Sequence, residues 1–155
     1  MKGNEKMLAT LNELLADELT AINQYMVHAE MCDDWGYGEL DEAIEARAIE
    51  EMKHAEKLIG RILFLEGRPI VSTLKPIHIG AEVPAQLKND WQAEREAIEA
   101  YNQAIRLAVE AGDNGTRDIL QSILNEEEEH LDWIEEQQDQ IGHVGVENYL
   151  ARKIG

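Results

Sequence analysis

Glu18-Leu19-Thr20-Ala21-Ile22-Asn23-Gln24-Tyr25 returns as Glu94-Arg95-Glu96-Ala97-Ile98-Glu99-Ala100-Tyr101, displaced by 76 residues. The same displacement carries Glu51-Met52-Lys53-His54 onto Glu127-Glu128-Glu129-His130, Leu11 onto Leu87 and Gly36 onto Gly112. Each half of the chain therefore holds a lone Glu followed by a Glu-x-x-His. Together the halves supply four carboxylates and two imidazoles, the ligand set of a di-iron or di-manganese carboxylate site inside a four-helix bundle.

The residues around these motifs read as helices. Leu8, Leu11, Leu15, Glu18, Ile22, Tyr25 and Ala29 follow the three-and-four spacing of one buried face. A second stripe runs Ala48, Glu51, Ala55, Leu58, Ile62 and Leu65. The third runs Leu87, Trp91, Glu94, Ile98, Tyr101, Ile105 and Ala108, and the fourth Leu120, Ile123, Glu127, His130, Ile134 and Ile141. Gly36 and Gly38 mark one turn, and Gly112 and Gly115 another. Glu66-Gly67-Arg68-Pro69 stops the second helix, and Gly142 closes the fourth. The pattern predicts one all-α domain over residues 1–155, built of two antiparallel helical hairpins. A crossover from about Gly67 to Ala81, with Pro69, Pro76 and Gly80, runs the length of the bundle between helices two and three. Val144 to Ile154 is too short for a core helix and is expected to form a small docking helix or to fray.

Glu18, Glu51, Glu94, Glu127 and His130 fall on the buried stripes, where ionised carboxylates are costly unless something pairs with them. Too few Arg or Lys residues share those faces to neutralise four carboxylates, whereas two divalent cations do so. The levels agree as well. Glu18 lies 18 residues before Gly36 and His54 lies 16 after Gly38, and the second half repeats this spacing closely. At a rise of about 1.5 Å per residue both sets meet near the middle of the bundle. A single Glu-x-x-His is usually a solvated pair, but two of them with two stripe glutamates at one offset are not explained that way. Oxygen ligands with one nitrogen per ion suit iron or manganese better than a thiolate-preferring metal. The motif predicts Glu51 and Glu127 as bridges, Glu18 and Glu94 as terminal carboxylates, and His54 and His130 on one ion each. Tyr25 and Tyr101 share the stripes of Glu18 and Glu94; they are either hydrogen-bond donors to a ligand carboxylate or ordinary aromatic core.

Composition bounds the alternatives. A formal charge of −18 leaves no basic surface for nucleic acid. It fits a surface that attracts cations, though taken on its own it reads as one that is merely well solvated. Cys32 is the single cysteine, so there is no internal disulfide and no thiolate metal site, which fits a reducing cytoplasm. The N-terminal residues lack the apolar core of a signal peptide, and no apolar run is long enough to span a membrane. A cytoplasmic protein with no membrane partner is expected.

Further residues carry a resemblance. Met1-Lys2-Gly3, Asn23-Gln24-Tyr25, Glu51-Met52-Lys53-His54-Ala55 and Arg61-Ile62-Leu63-Phe64-Leu65-Glu66-Gly67 resemble the bacterioferritins. So do Ile79-Gly80, Glu126-Glu127 with His130-Leu131-Asp132-Trp133, and Asn148-Tyr149-Leu150, so the similarity runs along essentially the whole chain. The resemblance implies a ferritin-like four-helix bundle with a short C-terminal helix, assembled from two-fold dimers into a homo-oligomeric shell of 24 subunits. It implies an intrasubunit di-iron ferroxidase centre that oxidises Fe(II) with O₂ or H₂O₂, and a ferric mineral stored in the cavity. It also implies haem b, one per subunit dimer, with Met52 as axial ligand and Ile22, Asn23, Met26 and Ile49 as pocket neighbours. By the residues alone Met52 reads as a gap-filling core methionine. A small ferredoxin is the implied electron donor for iron release.

One position departs from the pattern. Some bacterioferritins carry a His where this chain has Ala46, with an acid at 50, as an iron site on the inner surface. Here Glu50 is kept beside Ala46 and Arg47, which weakens that expectation and leaves passage through the centre, by motion of His130, as the route to the cavity. Among rivals, a peroxidase with a rubredoxin tail needs Cys-x-x-Cys pairs that are absent. A DNA-protecting mini-ferritin builds its site between subunits, and a haem electron carrier with a vestigial centre does not need all six ligands.

Overall fold

Asn4 opens the first helix, its side-chain oxygen accepting the Met7 N–H at 3.0 Å. In this computed structural model, which describes residues 1–155, α1 spans Glu5–Asp34 and α2 spans Gly38–Phe64. After residues 65–82 follow α3, Val83–Glu110, α4, Asn114–Val144, and the six-residue α5, Val146–Ala151. Glu82 caps α3 by accepting the Ala85 N–H, and Asp113 caps α4 by accepting the Thr116 N–H.

The duplication is visible in the turns. Gly36 and Gly112 both adopt left-handed φ, +82° and +68°. After each, Tyr37 N–H returns to Cys32 O and Asp113 N–H to Ala108 O, both at 2.8 Å, the hydrogen bond of a Schellman stop. Gly38 and Gly115 belong to the first turns of α2 and α4 and not to the connections. Gly142 does not close α4: it is helical, and Gly145, with φ of +82°, ends the helix three residues later.

The hairpins α1–α2 and α3–α4 pack so that α1 meets α3 and α2 meets α4. The crossover has no regular structure, so its backbone needs partners, and α1 provides them. Asn12 donates to Arg68 O and accepts from Ile70 N–H, at 3.1 and 2.9 Å. Thr20 accepts from Lys75 N–H at 2.9 Å, Gln24 from His78 N–H at 3.1 Å, and His28 Nε2 from Gly80 N–H at 3.0 Å. These residues recur every four or eight positions along one face of α1, a polar ladder that fixes the crossover rung by rung. Because His28 Nε2 accepts, its Nδ1 carries the proton and donates to Asp90 at 2.9 Å. Gly80 passes so close to α3 that a Cβ there would lie 2.3 Å from Gln86 N.

The tail docks and does not fray. Tyr149 is buried and its hydroxyl donates to Gln137 at 2.6 Å, while Lys153 pairs with Glu39 at 3.1 Å.

The core is divided. A cluster of 15 buried residues, including Leu11, Leu15, Leu58, Ile62, Ala104 and Leu120, fills one end of the bundle. A second, of nine residues including Tyr25, Leu40, Ile44, Leu87 and Ile134, fills the other. On every long helix the glutamates of the repeat fall between the two. The fold thus encloses a polar layer between apolar ends.

Candidate metal centre

Six residues form that layer. Glu18 comes from α1, Glu51 and His54 from α2, Glu94 from α3, and Glu127 and His130 from α4, each at most 2% exposed. Within each Glu-x-x-His the three-residue spacing keeps carboxylate and imidazole on one helix face. Ligand atoms of Glu18, Glu51, His54 and Glu127 all lie within 4.8 Å of one another, as do those of Glu51, Glu94, Glu127 and His130. The two sets share Glu51 and Glu127, an arrangement that suits two ions joined by two carboxylates. The imidazoles stack with centroids 6.2 Å apart.

The donor atoms themselves test the fit of a metal. The buried side-chain atoms without a hydrogen-bond partner are Glu18 Oε2, Glu51 Oε1, His54 Nδ1, Glu94 Oε2, Glu127 Oε1 and His130 Nδ1. That is one from each of the six residues and none from any other. His54 Nδ1 lies 2.9 Å from Glu127 Oε1, and His130 Nδ1 lies 3.2 Å from Glu51 Oε1, without hydrogen-bond geometry. No lysine or arginine pairs with any of the four carboxylates. Orphaned buried polar atoms are costly, and six of them in two groups that share Glu51 and Glu127 fit the donor set of a pair of cations.

The electrostatics agree. Burial, then the charges of Glu18 and Glu127, push the Glu51 carboxyl well above the usual range. Burial and Glu127 do the same to Glu94. At His54 burial opposes the imidazolium, but the adjoining Glu127 and Glu18 outweigh it and raise the group to about 11. Without metal, Glu51, Glu94 and His54 therefore hold their protons more tightly than usual.

The remaining atoms of these side chains are held by neighbours. The Tyr101 hydroxyl donates to Glu18 Oε1 at 2.5 Å, and the Tyr25 hydroxyl donates to Glu94 Oε1. Each tyrosine serves the glutamate of the opposite half, because α1 and α3 run antiparallel side by side. The imidazole Nε2 atoms are held in the same crossed fashion: His54 bonds Glu126 at 2.7 Å and His130 bonds Glu50. Glu126 is a contributor that motif reading passed over, and Glu50 one that it weighed only as the acid of an inner-surface site. The signal was present, since each Glu-x-x-His is preceded by one more Glu, at the same offset of 76. With Nε2 so engaged, Nδ1 is the atom left to face a metal. Glu50, kept without a histidine at 46, is occupied by His130.

Met52 lies elsewhere. It is 48% exposed, so it fills no gap in this chain's own core. Met26 and Ile49 are likewise exposed, whereas Ile22 and Asn23 are half-buried. Together they give the α1–α2 hairpin an apolar outer surface.

No helix is long and apolar enough to cross a membrane. The family profile for the ferritin-like domain matches residues 8–144. A bacterioferritin of Brucella melitensis is 38% identical over 96% of this chain and 92% of its own length. A bacterioferritin of Mycolicibacterium paratuberculosis is 40% identical over 98% and 96%. A bacterial ferritin of Pseudomonas aeruginosa is 40% identical over 99% of this chain and 100% of its own length. With helix order, crossover and central polar layer as described, the chain belongs to the ferritin-like family and, within it, to the bacterioferritins.

Proposed function

We propose that the protein stores iron, oxidising Fe(II) at the central layer and depositing the ferric product inside a shell built from copies of this chain. The observation that carries this reading is the set of six unpartnered atoms, one per ligand, arranged in two groups that share Glu51 and Glu127. Glu18 and His54 hold one ion, Glu94 and His130 the other, and the shared carboxylates set two ions side by side. Two Fe(II) held together deliver two electrons to one molecule of O₂ or H₂O₂. Carboxylates suit the product as well as the substrate, because they bind more tightly as iron gains charge. The stacked histidines are each held at Nε2 by a half-exposed carboxylate, and in this reading His130 swings outward together with Glu50 and opens a way out of the layer.

Support for storage, over a redox enzyme that merely turns over, comes from the relatives named bacterioferritin. The 24-subunit shell, its cytoplasmic location and a small ferredoxin as reductant are inferred from the same relationship. The test is aerobic Fe(II) loading of the assembled metal-free protein beside a Glu94→Ala variant, counting ferric iron kept after desalting. Many irons per chain, acquired slowly by the variant, are expected. About two per chain, the capacity of the layer alone, would identify a di-iron redox enzyme.

Haem b fits the same reading. Met52 offers an exposed thioether on an apolar surface, and a two-fold related copy would offer its own from the opposite side. When bound there, haem supplies a route for electrons into the stored mineral. Met52→Leu is expected to abolish haem uptake, measured by the visible spectrum after reconstitution, and to leave Fe(II) oxidation intact. Full haem uptake by that variant would remove Met52 from the role.

A further inference from the structure

A cavity of about 490 Å³ lies between α1 and α3. At its buried end are Glu18, Glu51, Glu94 and Glu127, and at its outer end are Lys75, Pro76 and His78 of the crossover. The crossover is thus a strap across a passage that reaches the central layer from outside the subunit. Four of the unpartnered oxygens, Glu18 Oε2, Glu51 Oε1, Glu94 Oε2 and Glu127 Oε1, belong to residues that line this passage.

Lys75 is fixed at both its ends. Its backbone N–H is bound to Thr20 at 2.9 Å, and its ammonium lies 2.5 Å from Asp17 and 3.1 Å from Glu13. Asp17 and Glu96 line the cavity with it. The mouth is therefore acidic by construction, and its counter-charge is a tethered ammonium. A divalent cation draws two carboxylates more strongly than a monovalent one, but the tether keeps the ammonium at high effective concentration.

Resting on the metal-centre reading above, we propose that Lys75 is an internal cation that plugs this mouth, and that Fe(II) reaches the centre by displacing it from Asp17 and Glu13. Lys75 is then a residue that sets the rate of metal admission and takes no part in oxidation. Its removal unmasks the carboxylates and takes away a positive charge that a dication must pass. At separations of a few ångströms in wet surroundings, this changes the rate by about 3- to 10-fold.

The test follows Co(II), which colours when bound by imidazole and carboxylate and needs no oxidation. Assembled metal-free wild type, Lys75→Met, Lys75→Arg and Thr20→Val are mixed with Co(II) in a stopped-flow instrument at low and high salt. Lys75→Met is expected to develop the band about 3- to 10-fold faster at low salt. That advantage shrinks at high salt, because screening removes it. Lys75→Arg keeps the wild-type rate, and final Co(II) stoichiometry is the same in all four proteins. Equal or slower admission in Lys75→Met overturns the plug. So does a faster rate that ignores salt and is shared by Thr20→Val, since a loosened strap then accounts for it. If the wild type develops no band, the metal-centre reading falls, and the plug with it.

Discussion

Metal-free protein carrying Glu51→Gln is expected to melt higher than the wild type while oxidising Fe(II) about 100-fold more slowly or worse. Both effects come from one side chain. Glu51 is 1% exposed, has an unpartnered oxygen, and stands among Glu18, Glu94 and Glu127 with no arginine or lysine near. Its carboxyl is pushed well above the usual range by burial and by those neighbours, which marks a group the fold holds at a cost. Glutamine keeps the shape, is neutral without taking up a proton and offers the surrounding carboxylates an N–H donor. Removing the cost of holding this carboxyl in the layer, whether as a retained proton or as a charge among carboxylates, is worth about 1–4 kcal/mol. The same change deletes a bridge shared by both ligand sets, so two cations no longer meet at a common carboxylate. Calorimetry of the metal-free shells and stopped-flow oxidation measure the two halves. If Glu51→Gln melts lower than the wild type without metal, the layer is a structural polar network and not a metal site.

How much of this was legible depends on whether a residue's role is set within its own helix or by what crosses it. Five of the six residues of the layer were readable because each stands on a stripe of its own helix, and His54 because the offset of 76 matched it to His130. Glu126 carried no role in the sequence and Glu50 was weighed only as the acid of an inner-surface site, since the use of both depends on imidazoles reaching across from the facing helix. The pairing of Tyr25 with Glu94 and Tyr101 with Glu18 is of the same kind: spacing placed the tyrosines, and only the packing of α1 on α3 assigned their partners. Asn12, Thr20, Gln24 and His28 share a face of α1 by their spacing of eight, four and four. Their partners are backbone N–H groups of a segment without periodicity, so nothing local revealed the ladder. Gly142 misled for a related reason. A helix interior tolerates glycine at about 1 kcal/mol, and the actual stop required the left-handed φ found at Gly145.

The stabilisation that metal gives is expected to grow steeply with pH. Without metal, Glu51 and Glu94 keep their protons well above the ordinary 4.5, and His54 keeps its proton up to about 11 against 6.5. All three folded-state values lie above their unfolded ones, so these groups bind more protons in the folded chain than in the unfolded one from about pH 4.5 upward. Their contribution is whole below the unfolded values and is lost as pH rises through the raised ones. Metal acts in the opposite sense, because carboxylates and imidazoles must give up protons to bind it. Each proton so released adds about 1.4 kcal/mol of metal-linked stability per pH unit. Melting curves with and without Mn(II), taken from about pH 5.5 to about pH 8, should therefore diverge as pH rises. The metal-free midpoint drifts down while the loaded one holds or climbs. A gap that stays constant across that range would mean that no protons are exchanged for metal. The layer would then not be where the ions bind, and the charges buried in the middle of this bundle would need another explanation.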